Sequence, residues 1–434
     1  MRKGYYKTKE KAIVEEIRKT KKINEPNFFN GFDPERLQHL VQEALQGGCL
    51  DIGIGVMSMF LKDEVNNLCG DSYKHSDDRK YTRYGSQDGY MYAGGQRVPI
   101  DKPRVRGIDG KEAKLKTYEV MQDPTRFQES VLRHMLYGVS TRNYDRVIDH
   151  AAERLTIKKS SISASFRATT RKNLKQFMGR SLADESWPVV FLDGTPMGGE
   201  MMIVSAGINN EGKKVILGTR QGDTENAEVV KDLLVDMKNR GLSSRDGILF
   251  VIDGSKALAK GIRDVFGEQA YIQRCRVHKK RNVLAYLSKD NQEVFGKAID
   301  DAYALKDYEK ATERLKSISK DLERVNPDAA TSMREGLEET CTVLRFNIPD
   351  LLYKSLMSTN PLESIFSIVE ERVKRVKNWQ GGDMRKRWLV AALIDAESRV
   401  NRIQGKKYLP DLIKALKDNQ EKRFGKLDES KEVA

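Results

Sequence analysis

Two apolar runs, each closed by Asp-Gly, constrain this chain more than any other feature. They are Trp-Pro-Val-Val-Phe-Leu-Asp-Gly (187–194) and Gly-Ile-Leu-Phe-Val-Ile-Asp-Gly (247–254). Short, continuous runs of branched and aromatic residues bounded by Gly or Pro are the pattern of strands buried on both faces. A sheet covered on both faces needs helices on each side, so the two runs already point to an α/β layer structure.

The residues around them fill in an order. Gly199–Ile208 reads as a second strand, Asn209–Gly212 as a turn and Lys213–Thr219 as a third strand. Connections this short imply an antiparallel meander. Thr224–Arg240 reads as an amphipathic helix with Ala227, Val230, Leu233, Leu234 and Met237 inward. After the fourth strand come a helix at Lys256–Phe266, a short strand at Ala270–Arg274 and a helix at Val277–Leu287. The sequence β-β-β-α-β-α-β-α is the order of an RNase H-like domain. In that order the first and fourth strands are neighbours, which would bring Asp193 and Asp253 together. Two adjacent carboxylates repel unless a cation lies between them. Mg²⁺ prefers such oxygen ligands and keeps positions open for phosphate and water. The alternative is that each Asp only caps a following helix.

With 434 residues the chain exceeds one ordinary domain. Residues 288–350 are helical throughout, with apolar stripes such as Tyr308, Ala311, Leu315, Ile318 and Leu322. They read as an all-helical insertion after the last strand. A helix over 358–378 and another over Met384–Gln404 follow, then a charged end. Upstream, Pro34–Gly47 and residues 50–68 read as helices. From Gly70 to Pro124 helical periodicity is lost, and Gln96–Gly107 suggests short irregular strands, with Pro99 and Pro103 at edges or bulges.

Helical signal returns at 126. A helix to about Leu155, capped by Ser140 or Thr141, carries Tyr144, Val147, Ile148, Ala151, Ala152 and Leu155 at helical spacing. After a short break comes a second helical pattern through Ile162, Phe166, Thr170, Leu174 and Phe177. Residues 157–180 hold seven basic side chains (Lys158, Lys159, Arg167, Arg171, Lys172, Lys175, Arg180) and no acidic ones. A helix, a turn and a basic Ser/Thr-rich helix suit the major groove of duplex DNA. An ordinary helical pair with a solvated basic face gives the same pattern.

Charge supports a polyanionic partner. Lys and Arg number 77 against 63 Asp and Glu, for a formal net charge of +14. Nucleic acid is the first candidate and an anionic membrane surface the second. The longest apolar run, Ile52–Leu61, is far short of the roughly 18–20 residues that cross a bilayer, and no signal peptide is recognisable after Met1. The four cysteines, Cys49, Cys69, Cys275 and Cys341, are scattered, which excludes a disulfide scaffold and a four-Cys zinc site. Cys69 and His75 are too few ligands for a zinc site. The chain is expected in the cytoplasm.

Two further motifs carry chemistry. Ser358–Ser367 (Ser-Thr-Asn-Pro-Leu-Glu-Ser-Ile-Phe-Ser) opens a helix, with Thr359 or Asn360 as cap and Glu363 in the first turn. Glu363 is a candidate third acidic ligand, and equally a capping-box Glu. Cys275-Arg276-Val277-His278 runs on as Lys279-Lys280-Arg281-Asn282. Arg274, Arg276, Lys279, Lys280 and Arg281 suggest phosphate contacts. A zinc site would need a second ligand pair, and none is near in sequence, so a packed thiol and a hydrogen-bonding His are favoured.

These residues together resemble the Mutator-type transposases of bacterial insertion sequences, over about 138–405. The resemblance rests on Leu-Asp-Gly (192–194), Asp-Gly-Ser-Lys-Ala-Leu (253–258), Gln-Arg-Cys-Arg-Val-His-Lys-Lys-Arg-Asn-Val (273–283) and Ser-Thr-Asn-Pro-Leu-Glu-Ser (358–364). It implies a DDE triad of Asp193, Asp253 and Glu363 on an RNase H-like core, holding Mg²⁺ or Mn²⁺ as two ions. It implies that Cys275 and His278 lie near the active site in a structural role. The expected layout is an N-terminal accessory region (1–125), a helix-turn-helix-like DNA-binding region (126–182) and a first part of the α/β catalytic core (183–287). An all-α insertion (288–351), a second part of the core carrying the Glu (352–405) and a charged tail (406–434) complete it. The expected activity is binding of terminal inverted repeats, metal-dependent strand cleavage and strand transfer, by a homodimer or higher assembly on double-stranded DNA in the nucleoid. An RNase H-like nuclease without strand transfer, and a DNA-binding regulator with an idle core, are the alternatives.

Overall fold

The computed structural model describes residues 50–72, 79–93, 96–141, 159–222 and 226–425. The readings for 34–47, Cys49, His75, Lys158 and the helix proposed over 142–155 lie outside the described residues. The chain divides into two compact units, Met1–Thr169 and Thr170–Ala434.

In the first unit, α1 (Leu50–Cys69) is followed by a hairpin of β1 (Tyr81–Ala93) and β2 (Gln96–Gly107), then α2 (Lys116–Met121) and α3 (Thr125–Leu136). Met57, Leu61, Val65 and Cys69 recur every fourth residue on α1 and pack with Met91, Val98, Val105, Leu115 and Met121. The irregular strands expected over 96–107 are instead one long strand, paired with a partner strand that the sequence does not announce. Only two of the partner's 13 residues are buried, so it lacks the clean alternation that marks a strand. In a two-stranded sheet both strands are edges, which is why Pro99 and Pro103 are tolerated.

The division between units falls within α4 (Lys159–Met178). The second unit is built on five strands: β3 (Val189–Met197), β4 (Glu200–Ile208), β5 (Lys214–Gly222), β6 (Ile248–Ile252) and β7 (Ala270–Arg274). Their order in the sheet is β5-β4-β3-β6-β7. The first three pair antiparallel, while β3–β6 and β6–β7 are parallel. Helices α5 (Ala227–Asn239) and α6 (Lys256–Phe266) make the two crossovers. They cover one face, where Val230, Leu233, Leu234, Leu258 and Ile262 meet Val190, Leu192, Phe250 and Ile252.

The other face carries Val189, Phe191, Leu249 and Val251. Over it pack residues of the later helices: α7 (Arg276–Leu284), α8 (Lys289–Ala304), α9 (Tyr308–Val325), α10 (Pro327–Arg334), α11 (Asp350–Leu356), α12 (Asn360–Val373), α13 (Met384–Arg399) and α14 (Leu409–Phe424). A 3₁₀ segment at Glu338–Phe346 closes the helical stretch that follows the last strand. Two expectations need correction. Strand β3 does not stop at Asp193; it continues to Met197, because Gly194–Met197 stay paired with β4 after the parallel pairing with β6 has ended at Leu192. The segment read as a charged tail also contains a packed helix, since Leu409, Leu412 and Leu416 are buried in the core.

Candidate active site

Asp193 and Asp253 follow directly on a register pair, Leu192 and Ile252, of adjacent parallel strands. Backbones there lie about 4.8 Å apart. Side chains alternate along a strand. Leu192 and Ile252 face the α5–α6 side, so the next residues face the side of Phe191 and Val251. Cys275 follows on β7 in the same way: Ile252 pairs with Arg274, and the Cys275 N–H donates to the Ile252 carbonyl at 2.7 Å. Asp193 within β3, and Asp253 and Cys275 just beyond β6 and β7, thus lie at matching positions along three consecutive strands.

Neither Asp caps a helix. Asp193 is within β3, 7% exposed, and its Oδ1 accepts from the Gly194 N–H at 2.9 Å. Asp253 Oδ1 accepts from the Ser255 N–H at 2.8 Å and braces the turn into α6, whose cap is Ser255, accepting from the Leu258 N–H. Arg274 reaches across to the same turn, donating from Nη1 to the Gly254 carbonyl at 3.2 Å and from Nε to Glu339 at 2.5 Å.

Glu363 comes from α12, which packs against β3 through its apolar stripe Leu362, Ile365 and Val369. That stripe fixes the helix on the sheet face that bears the two Asp residues. Thr359 makes no side-chain cap bond. Its hydroxyl instead donates to Glu363 Oε1 at 2.9 Å and lies 3.4 Å from His278 Nδ1. His278 Nε2 is 3.8 Å from Glu363 Oε1. The capping box that the sequence allowed is replaced by a hydroxyl-to-carboxylate bond that aims Glu363. Thr359, fully buried, contacts both Glu363 and His278, where the sequence suggested only a cap. The Ser-Thr-Asn-Pro run was its one signal.

Hydrogen bonding to Cys275 raises the His278 imidazole to about 9, against the effect of burial, with the charges of Asp193 and Glu363 adding to the rise. Burial resists ionisation of the Cys275 thiol, but hydrogen bonds from His278 and Thr359 outweigh it and lower its pKa. The sheet ends, the start of α7 and the first turn of α12 are therefore electrostatically coupled.

The basic residues separate into two sets. On α4, Lys159, Arg167, Arg171, Lys172 and Lys175 are exposed, while Ile162, Phe166, Thr170 and Phe177 are buried. Arg171 makes an exposed ion pair with Asp383 at 3.0 Å. Arg180 is half-buried and pairs with Glu397. Of the run after β7, Arg281 is exposed and Lys280 pairs with Asp300 at 2.5 Å. Arg274, Arg276 and Lys279, expected as phosphate contacts, are only 6%, 3% and 7% exposed. Their head groups are already occupied. Arg276 donates to the carbonyls of Thr340 at 2.8 Å and Tyr303 at 2.9 Å, and stacks over the Tyr303 ring. Lys279 donates to the carbonyls of Ser332 and Glu335, and burial pushes its ammonium down to about 8. These three side chains tie the helical stretch 303–340 to the sheet.

A family model described as transposase, Mutator family, matches residues 36–402. The transposase for insertion sequence element IS905 of Lactococcus lactis is 28% identical over 346 residues, 77% of this chain and 82% of that protein. The transposase for insertion sequence element IS6120 of Mycolicibacterium smegmatis is 27% identical over 288 residues, 64% of this chain and 87% of that protein. The transposase for insertion sequence element IS256 in transposon Tn4001 of Staphylococcus aureus is 22% identical over 380 residues, 83% of this chain and 93% of that protein.

Proposed function

The chain belongs to the Mutator family of transposases, and from that footing we propose that it is a DDE transposase whose triad is Asp193, Asp253 and Glu363 on an RNase H-like core. The observation that supports the reading is the register of β3 and β6, in which Asp193 and Asp253 each follow one member of the Leu192–Ile252 pair, together with the packing of α12 against β3. The order β5-β4-β3-β6-β7, antiparallel then parallel, supports the RNase H-like assignment.

The family works with a divalent metal cation, and the donor set suits one. All three proposed ligands offer hard carboxylate oxygens; Asp193 is nearly buried, and Asp253 follows the neighbouring strand β6. Carboxylates so placed both stay ionised when a cation neutralises them. Bound Mg²⁺ or Mn²⁺, as a pair of ions, would polarise the scissile phosphate and activate the attacking oxygen. Asp193 and Asp253 hold their positions through the backbone N–H groups of Gly194 and Ser255. Thr359 orients Glu363 through its hydroxyl. Arg274 fixes the Asp253-Gly254 turn. Cys275 and His278 are positioning residues in this scheme, linking β7 to the first turn of α12.

DNA is the substrate. The exposed cations of α4 neutralise phosphates of the element's terminal inverted repeats, and two or more copies assemble on the DNA. Among the described residues no helix is long and apolar enough to cross a membrane. The test is a cleavage assay on a linear duplex carrying the element's ends. The reading expects nicks at the repeat boundary with Mg²⁺, none after chelation, and joining of the freed 3′-OH to a second duplex. Metal-independent cleavage, or cleavage without any joining, would overturn it.

A further inference from the structure

The motif Cys275-x-x-His278 lacks a second ligand pair nearby in sequence, but the fold supplies a third donor from α12. The Cys275 thiol, a ring nitrogen of His278 and a carboxylate oxygen of Glu363 lie within 4.8 Å of one another. A tetrahedral zinc ion, with sulfur at about 2.3 Å and nitrogen or oxygen at about 2.0–2.1 Å, separates its ligand atoms by roughly 3.3–3.6 Å. His278 Nε2 and Glu363 Oε1, at 3.8 Å, are already close to that spacing.

The surroundings fit as well. Metal-bound imidazoles are held by a hydrogen bond at their other nitrogen. Here Nδ1 of His278 lies 3.4 Å from Thr359 Oγ1 while Nε2 faces Glu363. Cys275 is buried, whereas the side chains of His278 and Glu363 are 24% and 42% exposed. An ion can enter from the exposed side, and a water can complete four-coordination there.

We propose that Cys275, His278 and Glu363 bind a thiophilic divalent cation of the zinc class. Thiolate and imidazole favour such a cation over Mg²⁺, so the site differs in chemistry from the all-oxygen triad even though it shares Glu363. Occupancy withholds Glu363 from that triad, and the cation inhibits cleavage. This consequence rests on the triad reading; the binding does not.

The test uses full-length, chelator-treated protein and Co²⁺ as the probe. The proposal expects a thiolate-to-cobalt charge-transfer band that Zn²⁺ displaces and Mg²⁺ does not. Cys275→Ser abolishes the band, and His278→Ala weakens Co²⁺ binding at least about tenfold. Asp193→Asn and Cys341→Ala keep the band. Because Asp193→Asn binds Co²⁺ whether or not Asp193 is catalytic, its cleavage assay tests the triad separately. Should circular dichroism show Cys275→Ser unfolded, His278→Ala carries the test, since that residue is half-buried. No band in folded wild type, a band surviving in folded Cys275→Ser, or unchanged affinity in folded His278→Ala overturns the proposal.

Discussion

Helix α4 and the run from Arg274 to Arg281 are alike in sequence, dense in Lys and Arg and poor in acids, yet they end in opposite environments. Along α4 the charges stand in water on the face away from Ile162, Phe166 and Phe177. After β7, three of the five cations are buried, with their N–H groups spent on backbone carbonyls and Glu339. The difference lies in what the neighbouring chain offers. A buried cation is tolerable only where acceptors satisfy it. The helical stretch 303–340 provides them: the Tyr303, Ser332, Glu335 and Thr340 carbonyls all point at this run. Charge density in a sequence therefore marks a region as basic without saying whether its cations meet DNA or hold the fold.

The comparison breaks most visibly at Arg276. Arg276→Ala removes a donor from the Tyr303 carbonyl and one of the two donors of the Thr340 carbonyl, the other being Gln273 Nε2, and empties a buried guanidinium site, each lost hydrogen bond costing about 1–3 kcal/mol. We expect a stability loss of about 2–5 kcal/mol in a urea titration followed by circular dichroism. A loss below about 1 kcal/mol would show that this cation is not structural. The matching change on α4 is the triple variant Arg167→Ala, Arg171→Ala, Lys172→Ala. It should alter stability by no more than about 1 kcal/mol, because all three side chains are exposed and the Arg171–Asp383 ion pair is solvated. It should lower affinity for the element's ends and reduce the salt-dependence slope by about 0.9 for every phosphate no longer neutralised. Unchanged affinity across salt would move recognition away from α4. The smallest effect belongs to Lys280, whose pairing with Asp300 is partly solvated. Lys280→Ala should cost at most about 1 kcal/mol. A larger loss would place it with the buried set.

The sheet was legible where hydrophobic runs were long. Val189–Leu192 and Ile248–Ile252 are buried on both faces, so the runs read as strands, and the element order made them neighbours, as the sheet has them. The β1 strand was not legible, because Tyr81–Ala93 is interrupted by the polar run Gly85-Ser86-Gln87-Asp88-Gly89 and buries little. Glu363 was legible only as one of two roles. The bond from Thr359 to the Glu363 carboxylate takes the place of a capping box, and the Thr359–His278–Glu363 contact depends on how α12 seats against β3, which no local pattern encodes. The burial of Arg274, Arg276 and Lys279 was hidden for the same reason: their acceptors lie on later elements.

Asp193, Asp253 and Glu363 are proposed to carry the chemistry. The most direct measurement is the single-turnover nicking rate of Asp193→Asn, Asp253→Asn and Glu363→Gln on end-bound DNA, with Glu370→Gln as control. Glu370 is exposed on the same helix, about two turns on. Each of the first three substitutions removes a negative charge and keeps the shape. All four variants should fold and bind DNA as wild type does, with nicking lowered by orders of magnitude in those three and unchanged in Glu370→Gln. Wild-type nicking by either Asp variant, or normal nicking by Glu363→Gln with loss in Glu370→Gln, would contradict it.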